Sequence, residues 1–184
     1  MCFSKTVFRL ILIFGAFHLS ACDNLSDDLN PSGNDLRPDV QQGITGVGVG
    51  QYAPDFVLKD TLGNDVTLSN EYAGYDAVVL YFTMWCPICD GHMSYLRHYV
   101  VPNYPNINFL VIDYVTGSVV ASRQAQVANG YTDFTVLVDT DQSILDQFNG
   151  SMGTTVIIKN DSTVLMNEDF KDGTKLINTL SSLP

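Results

Sequence analysis

A continuous apolar run, Ala77 to Phe82, leads within three residues into Trp85-Cys86-Pro87-Ile88-Cys89. Such a run reads as a strand buried on both faces. The stretch that follows, to Val101, is helix-like and is broken by Pro102 and Pro105. The cysteine pair is therefore expected at a strand-to-helix junction, with Cys86 at or just before the helix N-terminus. Free N–H groups and the helix macrodipole favour negative charge there. A thiolate at Cys86 becomes a nucleophile near neutral pH, and Cys89, one turn deeper, is placed to resolve a mixed disulfide. Pro87 stiffens the loop and suits a first helical position.

The rest of the chain supplies a frame for that junction. Phe56-Val57-Leu58 and Val66-Thr67-Leu68 predict a β-hairpin turning at Gly63-Asn64. Ile107 to Asp113 reads as a second buried strand, Ser118 to Asn129 as a helix stopped by Gly130, and Phe134 to Val138 as a strand. Asp141 to Phe148 predicts a short helix, and Thr154 to Ile158 with Val164 to Asn167 a hairpin about Asn160-Asp161. Asp172 to Leu183 predicts a closing helix. Strands alternating with helices, then a terminal hairpin and helix, give an α/β sandwich around a mixed sheet.

The first 21 residues read as a leader, with Lys5 and Arg9 preceding an apolar run from Leu10 to Phe17 that is too short to span a bilayer well. Leu19-Ser20-Ala21-Cys22 resembles a bacterial lipobox, which makes Cys22 the lipidated first residue of a mature protein. Asp23 resembles an inner-membrane retention signal. Residues 22–49 read as the lipidated cysteine and a polar, glycine-rich tether, and residues 50–184 as the domain. Cys2 leaves with the leader, so Cys86 and Cys89 are the remaining pair. The expected location is the bacterial cell envelope, anchored by lipid and facing the extracytoplasmic side. A formal net charge of −11 argues against nucleic acid as a partner.

A bridge across two intervening residues closes too small a loop to constrain the unfolded chain much, so a structural staple is a weak reading. Zinc lacks a second ligand pair at the right spacing, and haem attachment needs a histidine where Asp90 stands. Redox chemistry is left, with no cofactor implied. At this point residues 50–184 resemble the thioredoxin-fold redoxins, in particular the envelope thiol-disulfide oxidoreductases and the alkyl hydroperoxide reductase and thiol-specific antioxidant superfamily. The resemblance rests on Gly50 with Ala53-Pro54-Asp55-Phe56 and Leu58, on Tyr81 through Cys89, on Val136-Leu137-Val138-Asp139, and on Thr154 to Ile158. It implies a thioredoxin-like sandwich with an N-terminal hairpin extension, Cys86 as attacking thiol, Cys89 as resolving thiol, and Trp85 as the aromatic beside them.

The chain departs from that pattern at three positions. The family places a cis-proline before the strand matching Thr154 to Ile158, and here the residue is Gly153. Cytoplasmic thioredoxins bury an aspartate six residues before the first cysteine, and here Leu80 stands. Envelope members often carry a glutamate three residues after the second cysteine, and here His92 offers an imidazole able to exchange protons with Cys89. Asp90 and His98 read as surface residues, and Asp113 and Asp139, each ending a strand, carry low weight as site residues.

The resulting expectation is a membrane-tethered oxidoreductase that exchanges disulfides with envelope proteins, cytochrome c maturation included, and draws on a thiol electron donor. Two alternatives compete with it. A peroxidase of the same superfamily matches at Thr83 but has Val79 where that family needs proline, and no arginine follows Arg123. A Cu(I) carrier would use Cys86 and Cys89, with His92 as a further candidate ligand and Gly153 as the feature that keeps metal access open; otherwise no metal is expected.

Overall fold

A computed structural model describes residues 40–184, so the leader, Cys22 and the tether to residue 39 lie outside the described residues. Among the described residues there are seven strands and four α-helices: β1 (Val57–Asp60), β2 (Asp65–Thr67), β3 (Ala77–Thr83), α1 (Pro87–Tyr95), β4 (Ile107–Asp113), α2 (Val119–Ala128), β5 (Thr135–Val138), α3 (Ser143–Gln147), β6 (Thr154–Lys159), β7 (Val164–Asp169) and α4 (Thr174–Leu180). The strands form one mixed sheet in the order β2-β1-β5-β4-β3-β6-β7. β3, β4 and β5 run parallel to one another, while β6 lies antiparallel on the other side of β3. This is the mixed α/β sandwich expected from the sequence, with the helical crossovers that parallel pairs require.

β3 is the centre of the sheet, and all seven of its residues are buried. Its alternation sorts two cores. Ala77, Val79 and Tyr81 face Met93, Leu96 and Val100 of the first helical stretch, together with Phe170, Leu176 and Leu180. Val78, Leu80 and Phe82 face the opposite way, toward Phe56, Leu68, Ile144 and Phe148. Burying a side chain of this size contributes roughly 1.5–3 kcal/mol. The strand that ends in the dithiol is thus the most firmly packed piece of backbone.

Local chemistry sets the element ends. Cys86 caps α1 and Pro87 opens it. Ser118 caps α2 by accepting a hydrogen bond from the Ala121 N–H, and Gly130 follows at φ +75°. Beyond Tyr95 the first helix widens over Leu96–Val100 and tightens into a short turn over Val101–Asn103 that contains Pro102. The helical stretch therefore runs past Val101, because a proline near the start of a new turn forfeits no needed N–H.

The boundary at Gly50 needs correction. Gly43 N–H and Gly46 N–H donate to the carbonyls of Gly50 and Tyr52, and Gly50 N–H donates to Val164 at 2.8 Å. Asn167 Nδ2 reaches the Val47 carbonyl at 3.2 Å, and Val47 packs against the core. The folded body begins near Gly43. Gly46 and Gly48 lie against the side chains of Gln51 and Val40, and Gly43 and Gly50 adopt positive φ.

Candidate active site

The junction between β3 and α1 carries the dithiol. Cys86 is extended (φ −88°, ψ 165°) and its sulfur accepts a hydrogen bond from the Cys89 N–H at 3.3 Å. The two sulfurs are 3.0 Å apart and both cysteines are free thiols. Cys86 is half-buried, whereas Cys89 is fully buried. Partial burial alone would raise the Cys86 thiol. It is outweighed by hydrogen bonds from the Cys89 side chain and from the N–H groups of Cys89 and Ile88, and the Cys86 pKa ends below the ordinary thiol value. This is the nucleophile-at-a-helix-start arrangement read from the sequence, with the helix's own donors as its cause.

Trp85 sits before the cysteine in a left-handed conformation (φ +57°). Its backbone N–H is held by Thr83 Oγ1 at 3.2 Å, and its indole Nε1 donates to Asp113 Oδ2 at 2.8 Å. Asp113, fully buried at the end of β4, also accepts from the N–H groups of Val115 and Thr116 and from the Thr116 hydroxyl. Asp113 thus anchors the tryptophan beside the dithiol. Asp139, by contrast, accepts hydrogen bonds from the N–H groups of Ile144 and Leu145 in α3. Asp90 accepts a hydrogen bond from the Tyr131 hydroxyl at 2.6 Å, and His98 is exposed.

Leu80 lies in the core facing away from α1. It is Tyr81, one residue on, that brings a polar group beneath the dithiol helix. Its hydroxyl is 3.0 Å from His92 Nδ1. Burial drives the phenol pKa far above its ordinary range, and the charge of Cys89 and a hydrogen bond with it push further in the same direction. His92 therefore meets Tyr81 directly. Burial lowers the imidazole pKa, which keeps the ring neutral at pH 7. Tyr114, on the loop after β4, also feels the site: burial raises its phenol, and the Cys89 and Cys86 charges add to the shift. Neither tyrosine stood out in the sequence. The available signal was a tyrosine inside an otherwise apolar strand, whose hydroxyl needs a partner once buried.

Gly153 has φ +84°, and the described residues contain no cis peptide bond. Its N–H donates to the Phe82 carbonyl at 3.0 Å, which holds it against the end of β3. A Cβ built there would stand 3.3 Å from His92 Cε1 and 3.4 Å from Nδ1. On its other flank the imidazole stacks on Phe170, with ring centroids 4.3 Å apart. Gly153 thus faces the imidazole of His92. No group of three or more His, Cys, Asp or Glu side chains converges among the described residues. Thr83, the one match to a peroxide site, is buried and spends its oxygen on Trp85. Arg97 and Arg123 are bound to Asp133 and Gln126.

The chain matches the model of the AhpC/TSA family over residues 49–167. It is 28% identical over 121 residues to the thiol-disulfide oxidoreductase ResA of Geobacillus kaustophilus, a match spanning 65% of this chain and 68% of that protein. It is likewise 28% identical over 130 residues to ResA of Bacillus subtilis, spanning 68% and 70%. A thioredoxin-like protein from Aeropyrum pernix superposes with a TM-score of 0.59 at 23% identity, covering 70% of this chain and 89% of that one. That likeness shows a thioredoxin-like fold.

Proposed function

The chain belongs to the AhpC/TSA family and is a redox enzyme of the thiol-disulfide oxidoreductase kind; from that premise we propose that Cys86 and Cys89 exchange disulfides with exported proteins at the surface of a membrane. The Cys86 thiolate attacks one sulfur of a substrate disulfide, the other substrate sulfur leaves, and a mixed disulfide forms. Cys89 then attacks Cys86 Sγ, releasing the second substrate thiolate. Two electrons pass from the dithiol to the substrate, and a thiol donor restores the pair. Trp85, held by Asp113, keeps the approach to Cys86 in place.

The observation that carries this reading is the difference between the two sulfurs: an accessible one with a depressed pKa beside a fully buried one 3.0 Å away. A lipid on Cys22 would tether the domain in the envelope. Cytochrome c maturation, where cysteines must be reduced before haem attaches, is a setting that such chemistry fits.

The test is a titration of the Cys86–Cys89 pair against glutathione and dithiothreitol buffers, followed by the fluorescence of Trp85, the one tryptophan, with metal analysis of the same sample. A reversible two-electron couple in metal-free protein is expected. A potential near or below about −250 mV would assign it to reduction. A pair that cycles poorly while holding one Cu(I) per chain would replace this reading with copper transfer.

A further inference from the structure

We propose that Tyr131 is a positioning residue for the dithiol: its hydroxyl holds the Asp90 carboxylate on the flank of α1, turned away from Cys86, so that a negative charge four residues after the attacking sulfur does not oppose its thiolate. The inference rests on the disulfide-exchange reading and adds to it a residue from outside the Cys86–Cys89 junction.

Cys86 and Asp90 stand at i and i+4, and the Asp90 N–H donates to the Cys86 carbonyl at 2.9 Å. Residues at that spacing are neighbours on one helix face, and a helical side chain leans back toward the N-terminus of its helix. An unheld carboxylate at Asp90 would therefore lean toward the sulfur, where like charge disfavours a thiolate. Tyr131 takes it the other way. Its hydroxyl donates to Asp90 Oδ1 at 2.6 Å and to the Asp90 carbonyl oxygen at 2.9 Å. Helix carbonyls point toward the C-terminal end of their helix. One hydroxyl that reaches both oxygens draws the carboxylate to that side.

Tyr131 is itself held firmly. Its side chain is buried, and the Arg97 guanidinium lies over its ring, 4.3 Å from the centroid. Arg97 Nε donates to Asp133 Oδ2 at 2.9 Å, and its terminal nitrogen donates to the Gly130 carbonyl at 2.7 Å. The loop after α2 thus grips the dithiol helix at Asp90 and again at Arg97, two turns further on. Burial and the hydrogen bond with Asp90 push the Tyr131 phenol up to about 12, so the hydroxyl stays a donor where the thiolate forms. The charged groups facing Asp90 and Tyr131 are Arg97 and Asp133. Those that share the site with the two sulfurs are the phenols of Tyr81 and Tyr114.

The experiment uses the reduced full chain with Cys2→Ser and Cys22→Ser, and follows the pH dependence of iodoacetamide alkylation at Cys86. Tyr131→Phe keeps the ring beneath Arg97 and frees the carboxylate. Its midpoint is expected to rise by about 0.3 of a pH unit or more at low ionic strength. That rise should shrink in about 1 M salt, which screens exposed charges. Asp90→Asn alone should leave the midpoint in place, and in the Tyr131→Phe background it should abolish the rise. An unmoved midpoint in Tyr131→Phe overturns the proposal. A rise that persists in the double variant and at high salt overturns it too, since a loosened helix gives that result without the charge. Should Tyr131→Phe fail to fold, two variants at the exposed position 90 decide instead. Asp90→Asn should again leave the midpoint alone, while Asp90→Lys, which the Tyr131 hydroxyl cannot hold, should lower it; a fall already in the first, or none in the second, overturns the proposal. A redox titration of the parent protein against glutathione runs alongside. A dithiol that does not cycle there sinks the exchange reading and leaves the alkylation result standing.

Discussion

The indole of Trp85 and the carboxylate of Asp113, 28 residues apart in sequence, share a 2.8 Å hydrogen bond that ties the residue before Cys86 to the end of the neighbouring strand. Asp113 makes four such bonds, to Trp85, Val115, Thr116 N–H and Thr116 Oγ1. One acidic side chain therefore fixes both the loop before the dithiol and the loop after β4.

Asp113→Ala leaves those donors without their acceptor. Hydrogen bonds to a charged group are worth about 1.5–3 kcal/mol each at most and are not additive, so a loss of about 2–4 kcal/mol is expected in urea unfolding. The change in Trp85 fluorescence between reduced and oxidised protein should shrink as well, because the indole loses its fixed partner. An unchanged urea midpoint would contradict the anchoring role.

Alkylation of Cys86 by iodoacetamide should reach half its limiting rate at a pH below the ordinary thiol value of about 8.5. Cys89→Ala should move that midpoint up, since the Cys89 side chain is the leading favourable contribution. The sign for stability follows from the depressed folded-state pKa. Relative to Cys86→Ser, the reduced protein gains its full advantage above the unfolded thiol pKa and loses it as pH falls through the folded one. Thermal melts of both proteins across that window check the slope.

His92 should titrate below about 6.5, as followed by its ring protons in NMR, because burial disfavours the imidazolium. The folded state then binds this proton less readily than the unfolded chain. Acidification from about 6.5 down through the folded midpoint should cost stability that His92→Phe does not lose. Parallel melting curves for the two proteins would refute it.

Gly153→Ala meets two obstacles, the left-handed backbone at φ +84° and the imidazole 3.3 Å from the new Cβ. A loss of about 1–2 kcal/mol is expected from the backbone alone. The further cost from contact with His92 should vanish in the His92→Ala background, as a double-mutant cycle would register. Strict additivity of the two substitutions would mean that the residues do not touch in solution.

Much of the frame could be read from sequence because local signals set it. The apolar runs of β3 and β4, the Ser118 cap and the glycine after α2 predict elements within a residue or two of those observed. The short helices were overextended: Asp141 and Asp172 begin turns that lead into α3 and α4, and their side chains bond to the N–H groups two residues on. The dithiol was legible for the same local reason. Its surroundings were not. Tyr81 and His92 meet only when α1 is laid on one face of β3, and Trp85 meets Asp113 only across the β3–β4 pair. Hydropathy placed Tyr81 in the core correctly, yet hydropathy does not register a hydroxyl in search of a partner.

The dithiol hangs from β3, which is hydrogen-bonded on both sides and buried along its whole length. Amide protons from Val79 to Tyr81 should therefore exchange with deuterium only when the entire molecule opens, long after those of the β1–β2 hairpin at the edge of the sheet. Chain that has frayed at its margins still presents its sulfurs in working order, so loss of redox function on heating should coincide with the last cooperative event and not with the first.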